Sequence, residues 1–206
     1  MEFLSKNYKK LKRIILPILL CSLWFFIPGL LNNSLGKMLF EDEIISLLFD
    51  IFFALAILMI IFYKTKEYSK GLFEKDKTIK YYILPIIALI IIPFRVDGIN
   101  GDIFGNPAWL YVLMMLVNAL YQQYITFGLL QNYFYEIFSD KLAIIMTSIF
   151  FYLIHWIFLG SRFSPFQFLN ALFMLALGFL FSVIRYKNKT LHFNLILHWL
   201  FYFIFI

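Results

Sequence analysis

IISLLFDIFFALAILMIIFY, residues 44–63, contains a single charged side chain, Asp50. A helix of this length spans about 30 Å, which is the thickness of the hydrocarbon core of a bilayer. The rest of the chain has the same character, because 63% of its 206 residues are hydrophobic and only 15% are charged. Soluble domains are about 25% charged. The sequence therefore predicts an all-α, polytopic membrane helix bundle.

Seven apolar runs of this kind are bounded by charged and turn-forming residues. They cover residues 14–31, 44–63, 81–94, 108–132, 142–159, 165–184 and 190–206. No internal repeat, low-complexity segment or extended linker interrupts the series. We therefore expect about seven transmembrane helices in a single integral membrane domain over residues 1–206.

The 18 Lys and Arg residues are distributed unevenly over the connections between these runs. With the N-terminus in the cytoplasm, only Lys37, Arg95 and Arg162 fall on the outer side, as the positive-inside rule requires. The sequence thus predicts an extracytoplasmic C-terminus, and a composition rich in Ile, Lys, Phe and Tyr suits a bacterial plasma membrane. The positive charge is explained by the orientation of the protein in the membrane and by attraction to anionic lipid headgroups. The lipid bilayer is therefore an expected partner, and a nucleic acid is not.

Polar side chains recur at helical spacing on three of the predicted helices, which is costly in lipid unless they face the bundle interior. They are Asn118, Gln122 and Thr126 with Gln123 beside them, then Ser148, Tyr152 and His155, and finally Asn194, His198 and Tyr202. Such groups can simply hydrogen-bond across helices, each bond contributing about 0.6 kcal/mol. Intramembrane histidines favour a functional site instead, so we expect the three faces to converge on a pocket. Its substrate- or partner-binding residues would be Asn118, Thr126, Tyr152 and Asn194.

Four stretches follow the order of motifs in a known family. They are Gln122-Gln123-Tyr-Ile-Thr-Phe127, Phe151-Tyr-Leu-Ile-His155, Gly178 and His198-Trp-Leu-Phe-Tyr202. Through them, residues 108–206 resemble the core helices of the CPBP or Abi family of intramembrane endopeptidases, which includes the CAAX prenyl proteases and bacteriocin-maturation and immunity proteins. That family carries Glu-Glu-x-x-x-Arg, Phe-x-x-x-His, a Gly-containing helix and His-x-x-x-Asn. The resemblance implies a CAAX-protease-type fold.

Departures from these motifs change the chemistry that the resemblance implies. In the family, the first Glu and the histidine of the second motif activate a water, and the last His and Asn stabilise the oxyanion. Gln122 and Gln123 replace the Glu pair, and a carboxamide cannot act as a general base. Phe127 replaces the Arg and Tyr202 replaces the Asn. The carboxylates and their cation are thus lost together, which can leave a sound fold.

Two functions remain open. The first is a non-catalytic homologue that acts as a membrane scaffold or regulator of another membrane protein or a membrane-associated peptide, such as a cell-envelope enzyme, a sensor kinase or a bacteriocin to which it confers immunity. The alternative is an active intramembrane endopeptidase, CAAX-type or peptide-processing, that uses the retained His155 and His198. The missing general base favours the first function, a pseudoprotease. A transporter would need several charges along a path, and Asp50, expected in a solvated or helix-pairing role, makes none.

No cofactor is expected. Catalytic zinc takes about three protein ligands, and His155 with His198 supplies two. His192 falls on another face of the last predicted helix, and Cys21 is the only cysteine. The sequence therefore predicts neither a zinc site nor a disulfide framework.

Overall fold

The computed structural model describes residues 14–22, 35–95, 102–103, 106–159 and 164–204. Its helices are α1 (14–22), α2 (Leu35–Leu39), α3 (Glu43–Lys64), α4 (Lys66–Leu72), α5 (Ile83–Arg95), α6 (Ala108–Gln122), α7 (Gln131–Ile137), α8 (Asp140–Leu159), α9 (Phe168–Asn188) and α10 (His192–Ile204). Two short strands, β1 (Asp102–Ile103) and β2 (Asn106–Pro107), pair antiparallel in the connection before α6. The predicted all-α class is confirmed.

Four of the described helices are long and apolar enough to cross a membrane. They cover Glu43–Lys64, Ala108–Ile137, Asp140–Ile157 and Phe168–Asn188. A shorter apolar helix covers Ile79–Ile91. The predicted polytopic membrane architecture is confirmed, while the number of seven spans stays a prediction. Parts of the first and last predicted spans lie outside the described residues.

The chain divides into two compact units. The first combines Met1–Leu23 with Gln122–Leu191, and the second combines Trp24–Tyr121 with His192–Ile206. Each unit therefore takes segments that are distant in sequence. The prediction of one membrane domain over residues 1–206 stays a prediction.

A buried face of α3 lies at the centre of the second unit. Its residues follow helical spacing: Ser46, Leu47, Asp50, Ile51, Ala54, Leu58 and Ile61. Helix α2 packs so closely on this face that a Cβ atom at Gly36 would lie 2.1 Å from the Ser46 carbonyl oxygen. Asp50 is fully buried, and its Oδ1 accepts a hydrogen bond from the Gly36 N–H at 2.8 Å. Asp50 therefore pairs two helices, one of the two roles expected for it, and the solvated alternative was wrong.

The connection after α3 forms part of the second unit instead of a plain loop. It contains α4 and a 3-10 turn over Ile79–Tyr82. His192, at the start of α10, lies 3.1 Å by Nε2 from the Glu74 carbonyl oxygen and 3.1 Å by Nδ1 from the Tyr82 hydroxyl. Because a carbonyl oxygen only accepts, Nε2 donates to Glu74 and the tyrosine donates to Nδ1. His192 is thus a structural residue that ties this connection to α10.

Helices α8 and α9 pack closely in the first unit. A Cβ atom at Gly178 would lie 2.9 Å from Phe151 Cδ1 and 3.2 Å from the Ser148 carbonyl oxygen. The hydroxyls of Ser148 and Ser182 lie 3.3 Å apart. Gln131 Nε2 donates to the Ser182 carbonyl oxygen at 2.9 Å, which ties α7 to α9. The glycine of the family-like motif therefore marks a close approach of two helices.

Candidate functional site

The helix that carries the first motif changes its hydrogen-bonding pattern within that motif. Helix α6 ends at Gln122, and a π-helix covers Gln123–Leu130. At its end the Gln131 N–H donates to the Thr126 carbonyl oxygen, an i→i+5 bond. Side chains five residues apart point about 140° from each other in an α-helix, whereas an i→i+5 ladder brings them towards one face. The sequence spacing predicts a continuous α-helix here and does not indicate the π-helix.

The first and last positions of the motif contact the same turn of α8. Gln122 Nε2 lies 2.9 Å from His155 Nε2. The Phe127 ring centroid lies 5.4 Å from that of Phe151, one turn before His155. The structure therefore brings the first two family-like motifs together, with Gln122 and His155 in direct contact.

Both ring nitrogens of His155 are hydrogen-bonded, and the side chain is only 6% exposed. Nδ1 lies 2.7 Å from the Phe151 carbonyl oxygen, which can only accept, so Nδ1 carries the proton. Nε2 then holds the lone pair and accepts from the Gln122 amide N–H. This tautomer is assigned from the hydrogen-bond network. The nitrogen that a general base would use is thus already bonded to a donor.

Aromatic rings surround the position of the family's Arg. Phe127 is fully buried, and its ring centroid lies 5.4 Å from Phe151 and 5.5 Å from Phe181. Such aromatic pairs are favourable in tilted and edge-on arrangements. A guanidinium at this position would need a carboxylate partner, and both glutamates of the family pair are amides here. The substituted motif is therefore packed as an apolar cluster.

Thr126 contacts α1 instead of α8. Its Oγ1 lies 3.4 Å from Cys21 Sγ, and both side chains are buried. The predicted stripe of Asn118, Gln122 and Thr126 on one face of this helix stays a prediction. Gln123 itself is fully buried. Nothing in the spacing of the sequence indicated Cys21 as a neighbour, because the pairing depends on how α1 packs.

The predicted face of α8 is only partly buried. Ser148 and His155 are 2% and 6% exposed, as expected for an inward face. Tyr152 is half-buried and its ring stacks on Trp156, with 6.3 Å between centroids and 16° between planes. Trp156 is an exposed side chain. Tyr152 therefore lies at the margin of this face.

The last motif lies in the second unit. His198 is buried, and its ring stacks on Tyr202 with 4.8 Å between centroids and 24° between planes. Trp199 Nε1 donates to the Leu116 carbonyl oxygen at 3.2 Å, which anchors α10 to α6. Asn194 is fully buried. Tyr202, the last residue of the family-like motif, is thus held by stacking on His198.

Asn118 lines a small cavity in the second unit together with Asp50 and Tyr121. The volume of this cavity is about 10 Å³, which leaves room for at most one water molecule. Sequence analysis placed Asn118 in a pocket but set Asp50 aside. The predicted convergence of the three polar faces stays a prediction, as does the pocket built from them.

Metal-ligating side chains do not cluster in the described part of the chain. No three His, Cys, Asp or Glu residues there are placed to hold one ion. The expectation that the protein works without a cofactor stays a prediction.

The C-terminal part of the chain is similar to a known protein family. Residues 104–204 match the family described as Type II CAAX prenyl endopeptidase Rce1-like. This range includes α6 to α10 and all four motif stretches, in agreement with the resemblance drawn from residues 108–206. Comparison with curated proteins and with solved structures finds no match. Residues 104–204 of this chain therefore carry a type II CAAX prenyl endopeptidase Rce1-like domain.

Proposed function

We propose that this chain is a non-catalytic member of its family that acts as a membrane scaffold or regulator of a partner protein or peptide. The observation that carries the proposal is the 2.9 Å hydrogen bond between Gln122 and His155. In an active dyad a carboxylate and the imidazole share the task of removing a proton from water. Here an amide donor occupies the imidazole lone pair, and the amide oxygen is too weak a base to take its place.

The other substituted positions support the same function. Phe127 is packed against two aromatic rings, and Tyr202 is stacked on His198. The substituted positions are therefore well packed, with polar and aromatic side chains in place of the charged groups that the family uses.

The expected partners follow from the family and from the membrane location. They are a cell-envelope enzyme, a sensor kinase or a bacteriocin, in the last case for self-immunity. Each would present a hydrophobic or membrane-associated segment to the helices that once bound substrate. Fold alone does not choose among them, because the same architecture serves different functions.

Co-purification from native membranes tests this proposal. We expect the wild type and a His155→Ala/His198→Ala variant to recover the same intact partner in amounts that agree within about twofold, since binding does not depend on proton transfer by either histidine. Mass spectrometry identifies the partner and any fragment of it. Thermal unfolding of both proteins in detergent checks that the double variant retains its fold.

Gly71→Ala is a matched control for handling and expression. It lies in α4, and no atom lies within 4 Å of the Cβ that alanine would add. This variant should recover the partner like the wild type. A partner fragment that appears with the wild type and Gly71→Ala, but disappears with the histidine variant, would contradict the scaffold and identify a protease.

Active proteolysis is the second candidate function, and the retained histidines favour it. In that case His155 and His198 would act with Gln122 positioning the water, and the substrate would be a CAAX-type, bacteriocin or other peptide. His155→Ala alone would then abolish the cleavage product, whereas Tyr152→Phe, at the margin of the α8 face, would not.

A further inference from the structure

Arg185 is a buried cation whose surroundings do not neutralise it. The charge pattern places it in a loop, but α9 continues to Asn188 and Arg185 lies in its last turn with only 6% of its surface exposed. A guanidinium removed from water costs several kcal/mol unless a partner compensates it. Arg185 is therefore the charged side chain of the first unit whose position most needs an explanation.

The described residues supply only a weak partner. Arg185 Nη2 donates to the neutral Asn132 Oδ1 at 3.1 Å, which ties α9 to α7. The Nε–H is buried and has no hydrogen-bond partner within the described part of the chain. No carboxylate described there forms an ion pair with this guanidinium.

A structural role alone does not account for this arrangement. The C-terminus of a helix favours a cation in its last turn, which explains why a basic residue occurs there. That effect is obtained equally by an exposed side chain, as with Lys187 in the same turn. It does not require the guanidinium to be desolvated with one donor left unpaired. A ligand that accepts hydrogen bonds from the guanidinium would explain both the burial of Arg185 and its unpaired Nε–H.

The chemistry of the acceptor follows from the donor set. Guanidinium offers donors in a planar fork that suits the oxygens of phosphate, and a basic site between helix ends at a membrane surface typically binds lipid headgroups. Lys187 and Lys189 are exposed beside it, and the Lys189 ammonium lies 4.2 Å from the Tyr186 ring centroid. These lysines raise the local concentration of anions.

We propose that Arg185 and Asn132 form a phosphate-binding site at the C-terminal end of α9, occupied by the headgroup of an anionic phospholipid. By charge pattern this end of the helix lies at the cytoplasmic surface, where such lipids supply the phosphate. Free inorganic phosphate offers the same oxygens and is the second source to be tested. The site is independent of the His155 dyad and of the proposed scaffold function.

Native mass spectrometry of the full-length protein in detergent measures the bound lipid directly. With phosphatidylglycerol added, we expect the wild type to retain one headgroup, and Arg185→Gln to bind it at least about tenfold more weakly, as for loss of a charge-assisted hydrogen-bond pair. Lys70→Gln is the matched control, because it removes one positive charge from an exposed helical position elsewhere. Its affinity for phosphatidylglycerol should equal that of the wild type.

Two further measurements distinguish the lipid headgroup from soluble phosphate and control for misfolding of the Arg185 variant. If inorganic phosphate at millimolar concentration raises the unfolding temperature of the wild type but not of Arg185→Gln, and phosphatidylglycerol does not, the ligand is soluble phosphate and the lipid assignment is overturned. If Arg185→Gln does not fold, Arg185→Lys replaces it. Arg185→Lys keeps the positive charge but loses the planar set of guanidinium donors, so it should bind phosphatidylglycerol several-fold more weakly than the wild type. Equal binding by wild type and either folded Arg185 variant would overturn the site.

Discussion

Replacing Gly36 with alanine should lower the free energy of unfolding by about 3 kcal/mol or more. The added Cβ atom would lie 2.1 Å from the Ser46 carbonyl oxygen and 2.7 Å from its carbon. These are backbone atoms of α3, so no side-chain rotation can relieve the overlap. Moving α2 away would break the hydrogen bond from the Gly36 N–H to Asp50, leaving a buried carboxylate oxygen without this donor.

Thermal or denaturant unfolding in detergent measures this effect. Gly71→Ala again provides the control, because the same chemical change meets no neighbouring atom there. In a helix it should be neutral or stabilise by up to about 1 kcal/mol. Unfolding of Gly36→Ala at the wild-type temperature would mean that α2 does not pack on α3 in this way.

Restoring the four family positions together should produce detectable proteolysis. The variant combines four substitutions: Gln122→Glu, Gln123→Glu, Phe127→Arg and Tyr202→Asn. A carboxylate at the first position would lie beside His155 Nε2, which Gln122 now contacts at 2.9 Å, and would supply the missing general base for a water held between the two groups. General-base catalysis contributes about 100- to 10,000-fold in rate, so cleavage of peptides that an active family member cuts should rise from background.

Single restorations should be worse than the full set. Phe127→Arg alone places a guanidinium among the rings of Phe151 and Phe181 without a carboxylate, and an unpaired buried charge costs about 3–5 kcal/mol. Adding His155→Ala to the quadruple variant should remove any product, which separates true restoration from contaminating proteases. A quadruple variant that folds but remains inert would show that the substrate cleft has diverged beyond its catalytic positions.

Long apolar helices were the part of the fold that could be predicted from the sequence. The run at 44–63 became Glu43–Lys64, and the runs near 142–159 and 165–184 became α8 and α9, because charged and turn-forming residues mark where a helix leaves the hydrocarbon. Short helices such as α2 and α4 were missed. Helix α2 depends on its packing against α3, and helices of five to seven residues carry little periodic signal.

The candidate site could likewise be predicted only in part. The order of motifs correctly indicated that Gln122 and His155 meet, since both belong to a pattern that spans consecutive helices. The tautomer of His155, the neighbour of Thr126 and the burial of Arg185 could not be predicted. Each depends on a carbonyl, thiol or amide from a distant segment. A linear pattern reports spacing along one helix and contains no information on what that helix packs against.

The π-helix over Gln123–Leu130 also has a consequence for how this chain should be aligned with its relatives. Because each i→i+5 turn holds one residue more than an i→i+4 turn, deletion of a single residue here would let the segment return to α-helix while both flanks keep their faces. A one-residue gap at this segment of an alignment would therefore reflect a difference in helix type between the two proteins, and not an error in the alignment. Because the first motif matches from Gln122 to Phe127 without a gap, such a gap belongs after Phe127, and an alignment that forbids it would shift the positions of α7 onto the wrong counterparts.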